Sequence, residues 1–135
     1  MAYKIQDIEG IGPAYAEKLS KAGIGTTDDL LEHCCHAKGR KAVSEKTDLS
    51  EAQLLNWANM ADLMRISGIG PQYSELLEAA GVDTVKELRN RNAENLTTKM
   101  EEINTAKKVA KTTPALPVVQ EWIGQAKTME PKISH

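Results

Sequence analysis

The chain has 135 residues, of which 41% are hydrophobic, and 17 basic against 19 acidic residues give it a formal net charge of −2. This acidic balance argues against a dedicated nucleic-acid binder, whose affinity comes largely from Lys and Arg at the phosphate backbone, and no apolar run is long enough for a membrane span or a signal peptide. With no Phe, two Trp and three Tyr, the core must consist mostly of aliphatic side chains, so we expect a cytoplasmic helical protein.

A glycine pair opens the first half of the chain, in the sequence Gly10-Ile11-Gly12-Pro13. Glycine permits the positive φ angles of a tight turn, and proline fits the first turn of a helix, where its missing N–H has no helical partner. The pattern predicts a hairpin between two helices. Residues 3–8 can supply at most a shortened first helix, and the helix after Pro13 should end at Gly23.

Two short helices are expected next. Thr26 or Thr27 can cap the first of them, and acidic residues follow in its first turn, where the helix dipole favours negative charge. This helix should run as far as His36 and stop near Gly39. A basic helix over 39–47 should follow and end in a turn.

The clearest helix of the chain lies between Ser50, its expected N-cap, and Met64, because apolar residues recur there at three- and four-residue spacing. It leads directly into Gly68-Ile69-Gly70-Pro71, which repeats the first glycine pair 58 positions later. The helix after this second hairpin should end at Gly81, and Thr84 should cap the short helix that follows.

A longer helix and a final helix complete the second half. Asn92 or Asn95 can cap the longer one, and Thr112-Thr113-Pro114 should break it. The final helix should lie near residues 116–129. The apolar positions of the longer helix are Leu96, Met100, Ile103, Ala106 and Ala110.

The repeat extends beyond the hairpins. Trp122 lies 65 positions after Trp57, and each has an apolar residue three places before it and an Ala four places after it. No segment alternates with a period of two, so we expect no sheet. We predict an all-α fold of two helix-hairpin-helix repeats, at residues 1–65 and 66–135, each extended by further short helices and packed together as one compact pseudo-symmetric domain.

The order of Gly-Ile-Gly-Pro, an amphipathic helix, glycine, threonine and a short helix resembles the helix-hairpin-helix motif in tandem. More closely, the chain resembles the bacterial family known as domain of unknown function 4332. This resemblance covers nearly the whole chain and implies an all-helical tandem fold, but the family has no established activity. The segments that carry it are residues 39–41, 45–47, 61–63, 65–70, 76–84 and 122–127.

The amides of such a hairpin, at the positive end of a helix dipole, can hold a backbone phosphate. The first hairpin is the candidate for this role, because lysines follow it and a basic segment at 38–46 could converge with them. At the second hairpin, Gly68-Ile69-Gly70 is expected to be mainly structural, because Glu75 and Glu78 lie on the next helix. The alternative is that both glycine pairs only allow a tight turn. The candidate phosphate-binding residues are Gly10, Ile11, Gly12, Lys18, Lys21, Lys38, Arg40, Lys41 and Lys46.

Three other motifs have functional interpretations, but the residues in and around each motif favour a structural one. Residues 39–64 could form a helix-turn-helix unit, but its second helix would begin with Glu51 and offer few groups for base edges. His33-Cys34-Cys35-His36 contains four metal-binding side chains, which on a helix cannot face one tetrahedral site. Trp57 and Trp122 are most simply core anchors, whereas exposed tryptophans would mark a partner-binding face.

The chain has neither a nucleophile elbow nor a phosphate loop ending in Gly-Lys-Ser/Thr. We therefore predict a non-enzymatic helical binding or scaffold module, without cofactor, metal or membrane, whose partner is another protein in a bacterial assembly. No small-molecule substrate is evident. The alternative function is weak, sequence-independent binding of a DNA or RNA backbone through the first hairpin and the basic segment 38–46.

Overall fold

A computed structural model describes residues 3–134, so the predicted domain limits at residues 1 and 135 lie outside the described residues. The described chain is compact and all-helical, as predicted, and it contains no strand, only an isolated bridge between Lys4 and Thr26. Over the same residues, no helix is both long and apolar enough to cross a membrane. A 3₁₀ helix at Ile5–Asp7 precedes eight α-helices, which are α1 (Pro13–Lys21), α2 (Thr27–Cys34), α3 (Ala37–Thr47), α4 (Glu51–Leu63), α5 (Pro71–Ala79), α6 (Val85–Leu88), α7 (Ala93–Lys107) and α8 (Leu116–Thr128).

Side-chain caps fix where four of these helices begin. Thr26 forms a capping box at α2, because its hydroxyl accepts from the amide of Asp29 at 3.1 Å and the Asp29 carboxylate accepts from the Thr26 amide at 3.2 Å. Ser50, Thr84 and Asn92 accept in the same way at the starts of α4, α6 and α7. The predicted caps are confirmed, and Asn92 is the one used at α7.

Helices α1 and α5 end in the same glycine motif. Gly23 and Gly81 adopt φ angles of +84° and +91°, which favour glycine because it has no Cβ. The residue after each glycine donates its amide to the carbonyl five positions earlier, at 2.9 Å in both cases. Both predicted helix ends are therefore confirmed as Schellman motifs.

The boundary between α2 and α3 differs from the prediction. α2 ends at Cys34 instead of running as far as His36, and Gly39 lies inside the first turn of α3 instead of ending a helix. A Cβ at Gly39 would clash with the backbone carbonyl of His33. Glycine is present because two helices approach closely here, and a sequence pattern cannot distinguish that need from a helix stop.

Only the first glycine of each hairpin uses a positive φ angle. Gly10 and Gly68 have φ angles of +94° and +97°, whereas Gly12 and Gly70 are extended and serve as the N-cap residues of α1 and α5. Proline follows at the first helical position in both cases, as predicted.

The hydrophobic core consists of two clusters. The first contains buried residues from Ile5 to Met64 and the second contains buried residues from Leu63 to Ala126. α4 contributes to both, because most of its apolar side chains face the first cluster while Leu63, at its last turn, faces the second. α4 thus connects the two clusters through the core as well as along the chain.

The end of α7 also differs from the prediction. α7 stops at Lys107, so Ala110 lies beyond the helix, and Ala106 is exposed. Asn104 is buried instead, and its side chain accepts from the Ala110 amide at 2.9 Å and donates to the Thr113 hydroxyl at 3.3 Å. A polar residue can occupy this inward position because the loop satisfies its hydrogen bonds.

Candidate functional site

The first hairpin places Gly10, the first glycine of its pair, against a buried tryptophan. A Cβ at Gly10 would lie 3.5 Å from Nε1 of Trp57, and the ring of Tyr15 packs on the same tryptophan with ring centroids 5.3 Å apart. The amide of Ile11 donates to the carbonyl of Ile8 at 3.1 Å, so it is already used within the turn. These contacts favour a structural role for Gly10 and Ile11.

The structure separates Arg40 from the other basic residues of the predicted phosphate site. Arg40 is only 4% exposed, and its guanidinium donates to the carbonyl of Cys34 at 2.9 Å and to the carbonyl of Ser134 at 2.7 Å. We therefore correct its assignment: Arg40 lies on the buried face of α3 and cannot contact a phosphate at the surface. The lysines of the predicted site are exposed on the neighbouring helices α1 and α3, and they are Lys18, Lys21, Lys38, Lys41 and Lys46.

The second hairpin is fastened to α8. A Cβ at Gly68 would lie only 3.0 Å from Nε1 of Trp122. The side-chain amide of Gln125 accepts from the backbone N–H of Ser67 at 3.0 Å and donates to its carbonyl at 3.2 Å. These bonds between a hairpin and a core helix favour the structural role predicted for Gly68-Ile69-Gly70.

Two lysines lie beside the second hairpin, a placement that the sequence did not reveal. Lys108 caps the C-terminus of α7 with a φ angle of +52°, and Lys111 follows in the loop before α8. Lys111 and Gln72 line a cavity of about 480 Å³ together with the hairpin. A second cavity, of about 580 Å³, is lined by Gln72, Lys108 and Lys111. The left-handed end of α7 turns these lysines towards the start of α5.

Four carboxylates form a face that joins the first hairpin to α5 and the loop before α6. Burial raises the pKa of Glu75, and the charge of Glu9 raises it further. Burial also raises the pKa of Glu78, with added repulsion from Asp83 and Glu75. None of the four takes part in an ion pair within the described part of the chain. We call Glu9, Glu75, Glu78 and Asp83 the acidic face.

The acidic face predicts a pH-dependent gain in stability for Glu78→Gln. Because the pKa of Glu78 is higher in the folded state than its ordinary value of 4.5, its contribution to stability is fully present below that value and is lost as the pH rises through the folded pKa. At pH 7 the variant should therefore be more stable than the wild type by about 0.5 kcal/mol. Urea denaturation at pH 7 and pH 4 should show the difference at pH 7 and its loss at pH 4.

The matched control for this prediction is Glu101→Gln, because Glu101 is an exposed carboxylate on α7, a helix that carries no residue of the acidic face. It should show no gain in the free energy of unfolding at pH 7 that is lost at pH 4. If Glu78→Gln is destabilising at pH 7, burial and repulsion do not disfavour the charged form of Glu78 in the folded protein.

Residues 130–134, which we call the strap, return from the end of α8 to the first half of the chain. Arg65 pairs with Asp62 at 2.6 Å and donates to the carbonyl of Glu130 at 3.1 Å. At the other end, Arg40 donates to the carbonyl of Ser134. Ile133 packs against the first hydrophobic cluster. The strap is therefore held at both ends by arginines that recognise its backbone.

Ser134 makes further bonds to the segment that joins α2 to α3. Its amide donates to the carbonyl of Cys35 at 2.8 Å, and its hydroxyl lies 2.8 Å from Nδ1 of His36. The strap thus bonds to the segment between α2 and α3 from a position nearly 100 residues further along the chain. Contacts of such sequence separation leave no local pattern in the sequence.

Two open cavities flank the strap. The larger, of about 710 Å³, has Asp28 and Glu32 of α2 in its wall. The smaller, of about 190 Å³, has Asp83 and Glu87 in its wall. Lys132 lines both cavities. We call these two cavities and the surface between them that the strap covers the groove.

The cysteine and histidine sequence does not form a cluster at one site. Cys34 is buried, and burial raises the pKa of its thiol to about 11 although the charge of Arg40 acts in the opposite direction. The thiol therefore stays protonated at neutral pH and is not an activated nucleophile. Within residues 3–134, no three His, Cys, Asp or Glu side chains are grouped to hold a metal ion.

Comparison with known proteins gives a family and no more specific relative. No curated protein matches the chain significantly, and no solved structure does so either. The family described as "Domain of unknown function (DUF4332)" matches residues 9–129, which include both hairpins and all eight α-helices. The chain belongs to this family.

Proposed function

We propose that this protein is a non-enzymatic helical binding module that docks a protein partner in its groove, as part of a larger bacterial assembly in the cytoplasm. The observation that carries the proposal is the strap, because the groove already binds a stretch of polypeptide without regular secondary structure through its backbone carbonyls. Arg40 and Arg65 donate to carbonyls at the two ends of that stretch. Recognition of main-chain groups is how many peptide-binding surfaces obtain affinity.

The distribution of charge supports a protein partner over a nucleic acid. Asp28, Glu32 and Asp83 line the groove and take part in no ion pair within residues 3–134. Carboxylates facing a phosphate backbone would repel it, whereas they would attract a basic protein segment. Arg40, the arginine of the basic segment, is buried and bonded within the protein.

Site-specific photo-crosslinking in the native host tests the proposed function. A photoreactive phenylalanine analogue replaces Glu32 in the wall of the groove, and in a control chain it replaces Lys99, which is exposed on α7. We expect a discrete protein adduct from position 32 that is missing from position 99. The same adducts from both positions, or adducts with nucleic acid alone, would overturn the proposal.

We further propose that the halves are tandem helix-hairpin-helix repeats related by an approximate two-fold axis. The matching φ angles of Gly10 and Gly68 support this relation. Each half also has a tyrosine and a tryptophan with ring centroids 5.3 Å apart and planes inclined by 55°. Each repeat would then contribute one hairpin. The two hairpins would share a backbone conformation but differ in the charged residues near them.

The second candidate function is weak binding of a nucleic-acid backbone, and the lysines beside the second hairpin favour it. Lys108 and Lys111 line cavities at the start of α5, where the N-terminal amides of the helix add positive potential. The first hairpin keeps exposed lysines on α1 and α3, but it loses Arg40. Exposed lysines therefore lie near both hairpins, and at the second the carboxylates of the acidic face on α5 oppose a phosphate contact.

Fluorescence titration with duplex and single-stranded DNA separates the two functions. The proposed protein-binding function predicts dissociation constants weaker than about 10⁻⁴ M at physiological salt, beyond the usual range for non-specific binders. Tighter binding that weakens steeply with salt would support the second candidate. Loss of that binding in Lys108→Glu with Lys111→Glu, but not in Lys38→Glu with Lys41→Glu, would assign it to the second hairpin.

A further inference from the structure

We infer that the groove accepts an extended partner segment in which a Lys or Arg precedes an aliphatic residue, and that the strap is an internal competitor for the same place. This inference rests on the proposed function, and it adds the chemistry of the partner and a way of regulating its access. Three properties of the strap carry it: how its backbone is held, where Ile133 lies, and what surrounds Lys132.

Three of the hydrogen bonds that hold the strap use its main-chain groups. Arg65 donates to the carbonyl of Glu130 and Arg40 to the carbonyl of Ser134, while the Ser134 amide donates to the carbonyl of Cys35. Every residue except proline offers the same main-chain groups. Another polypeptide in an extended conformation can therefore make these bonds in place of the strap.

The aliphatic requirement comes from Ile133. It is the strap residue that packs on the first hydrophobic cluster, while Met129, just before the strap, packs on the second cluster. The strap thus spans the boundary between two clusters, and its apolar anchor lies at the end remote from its own helix. A competing segment needs an aliphatic side chain at this position to cover the same apolar surface.

The basic requirement comes from the surroundings of Lys132. This lysine lines both cavities, whose walls carry Asp28 and Glu32 on one side and Asp83 on the other. Lys132 and Lys86 are the lysines at these walls, and neither makes an ion pair in the described chain. The groove therefore has an excess of carboxylates where the strap places its only charged side chain after Glu130, which favours a Lys or Arg in the occupant.

The strap can be displaced because little of it is buried. Pro131 and Lys132 are exposed, and only Ile133 of these three is partly covered. Its advantage over a separate segment is its tether to α8, since a short tether gives an effective concentration on the order of millimolar. A partner segment therefore binds weakly while the strap is in place and more tightly once the strap is weakened.

Fluorescence anisotropy with a labelled peptide tests the inference. The probe is a synthetic peptide with the strap's own sequence, Glu-Pro-Lys-Ile-Ser, preceded by a glycine linker that carries the fluorophore. The opened protein is the full chain with Lys132→Glu and Ile133→Asp, two changes in an extended and largely exposed segment. We expect the peptide to bind the opened chain at least tenfold more tightly than the wild type.

Two controls make the test specific. Glu32→Lys, added to the opened chain, should weaken peptide binding at least fivefold, whereas Glu101→Lys on α7 should leave it unchanged within twofold. A peptide with Glu in place of its Lys should bind the opened chain at least tenfold more weakly than the probe. Equal binding by the wild-type and opened chains, no binding to either, or equal binding of the two peptides would each overturn the inference.

Failure here is distinguishable from failure of the proposed function. One outcome is that position 32 gives a protein adduct in the host although the opened chain does not bind the peptide. In that case the groove has a partner of different chemistry, and only this inference is wrong. If the peptide binds the opened chain as expected but no host protein is crosslinked, the proposed function is wrong.

Discussion

Replacing Trp122 with alanine should lower the free energy of unfolding by about 3–5 kcal/mol, the usual loss for a buried tryptophan. Trp122 is 1% exposed, its ring packs on Tyr73, and its Nε1 lies against Gly68 of the second hairpin. The substitution removes an apolar contact between α8 and that hairpin and leaves polar contacts such as those of Gln125. Urea denaturation followed by far-UV circular dichroism measures the change.

The control is Val118→Ala on the same helix, because Val118 is 40% exposed. Its effect should stay within about 0.5 kcal/mol of the wild type. A loss below 1 kcal/mol for Trp122→Ala would mean that Trp122 is not a core anchor. The prediction that it is one, rather than an exposed partner-binding residue, would then be wrong as well.

Gly39→Ala should destabilise the protein by about 2–3 kcal/mol, although alanine is the better helix former by about 1 kcal/mol. The added methyl group would meet the backbone carbonyl of His33, and a carbonyl within a packed helix pair cannot move aside as a flexible side chain can. α2 and α3 must separate or tilt to accept it. The same urea experiment gives the size of the effect.

Gly124→Ala is the matched control for Gly39→Ala. Gly124 lies within α8, it is exposed, and a Cβ there would meet no atom within 4 Å. With no clash, the helix propensity of alanine should stabilise the protein by about 0.5–1 kcal/mol. Opposite signs for two helical glycines would establish that close approach of α2 and α3 is what Gly39 serves. Stabilisation by both substitutions would show that the approach is looser than described.

Local chemistry accounts for what the sequence could predict. Thr26, Ser50, Thr84 and Asn92 act on amides three residues away, so their caps can be read from a short window. The same is true of the glycine ends of α1 and α5. The burial of the two tryptophans follows from apolar residues spaced by three and four positions around them.

Long-range packing accounts for what the sequence could not predict. Glycine is a residue type that commonly ends a helix, but Gly39 lies within α3, where the carbonyl of His33 in α2 leaves no room for a Cβ. Arginine usually lies at the surface, but Arg40 is buried. Its guanidinium donates to two backbone carbonyls, one of which is 94 positions away in the sequence. The periodicity of a sequence depends on residue types and contains no information about which distant group a side chain will bond to.

The candidate site shifts for the same reason. Glycine pairs and lysines are visible in the sequence, so they drew attention to the first hairpin. The strap has no periodicity and no motif, and its importance depends on Arg40, Arg65 and Cys35 being brought together by the fold. A proline after the last helix was the only signal, and it indicated merely that the helix had ended.

Hydrogen exchange at the amide of Ser134 is the measurement that most directly tests whether the groove binds an extended chain. The amide donates to the carbonyl of Cys35 at 2.8 Å, so we expect it to exchange at least about tenfold more slowly than in a free peptide. The protection should fall in Arg40→Met, which removes the donor to Ser134, and persist in Lys41→Met, which changes the exposed neighbour. Exchange of Ser134 in the wild-type protein at the rate of a free peptide would contradict the account.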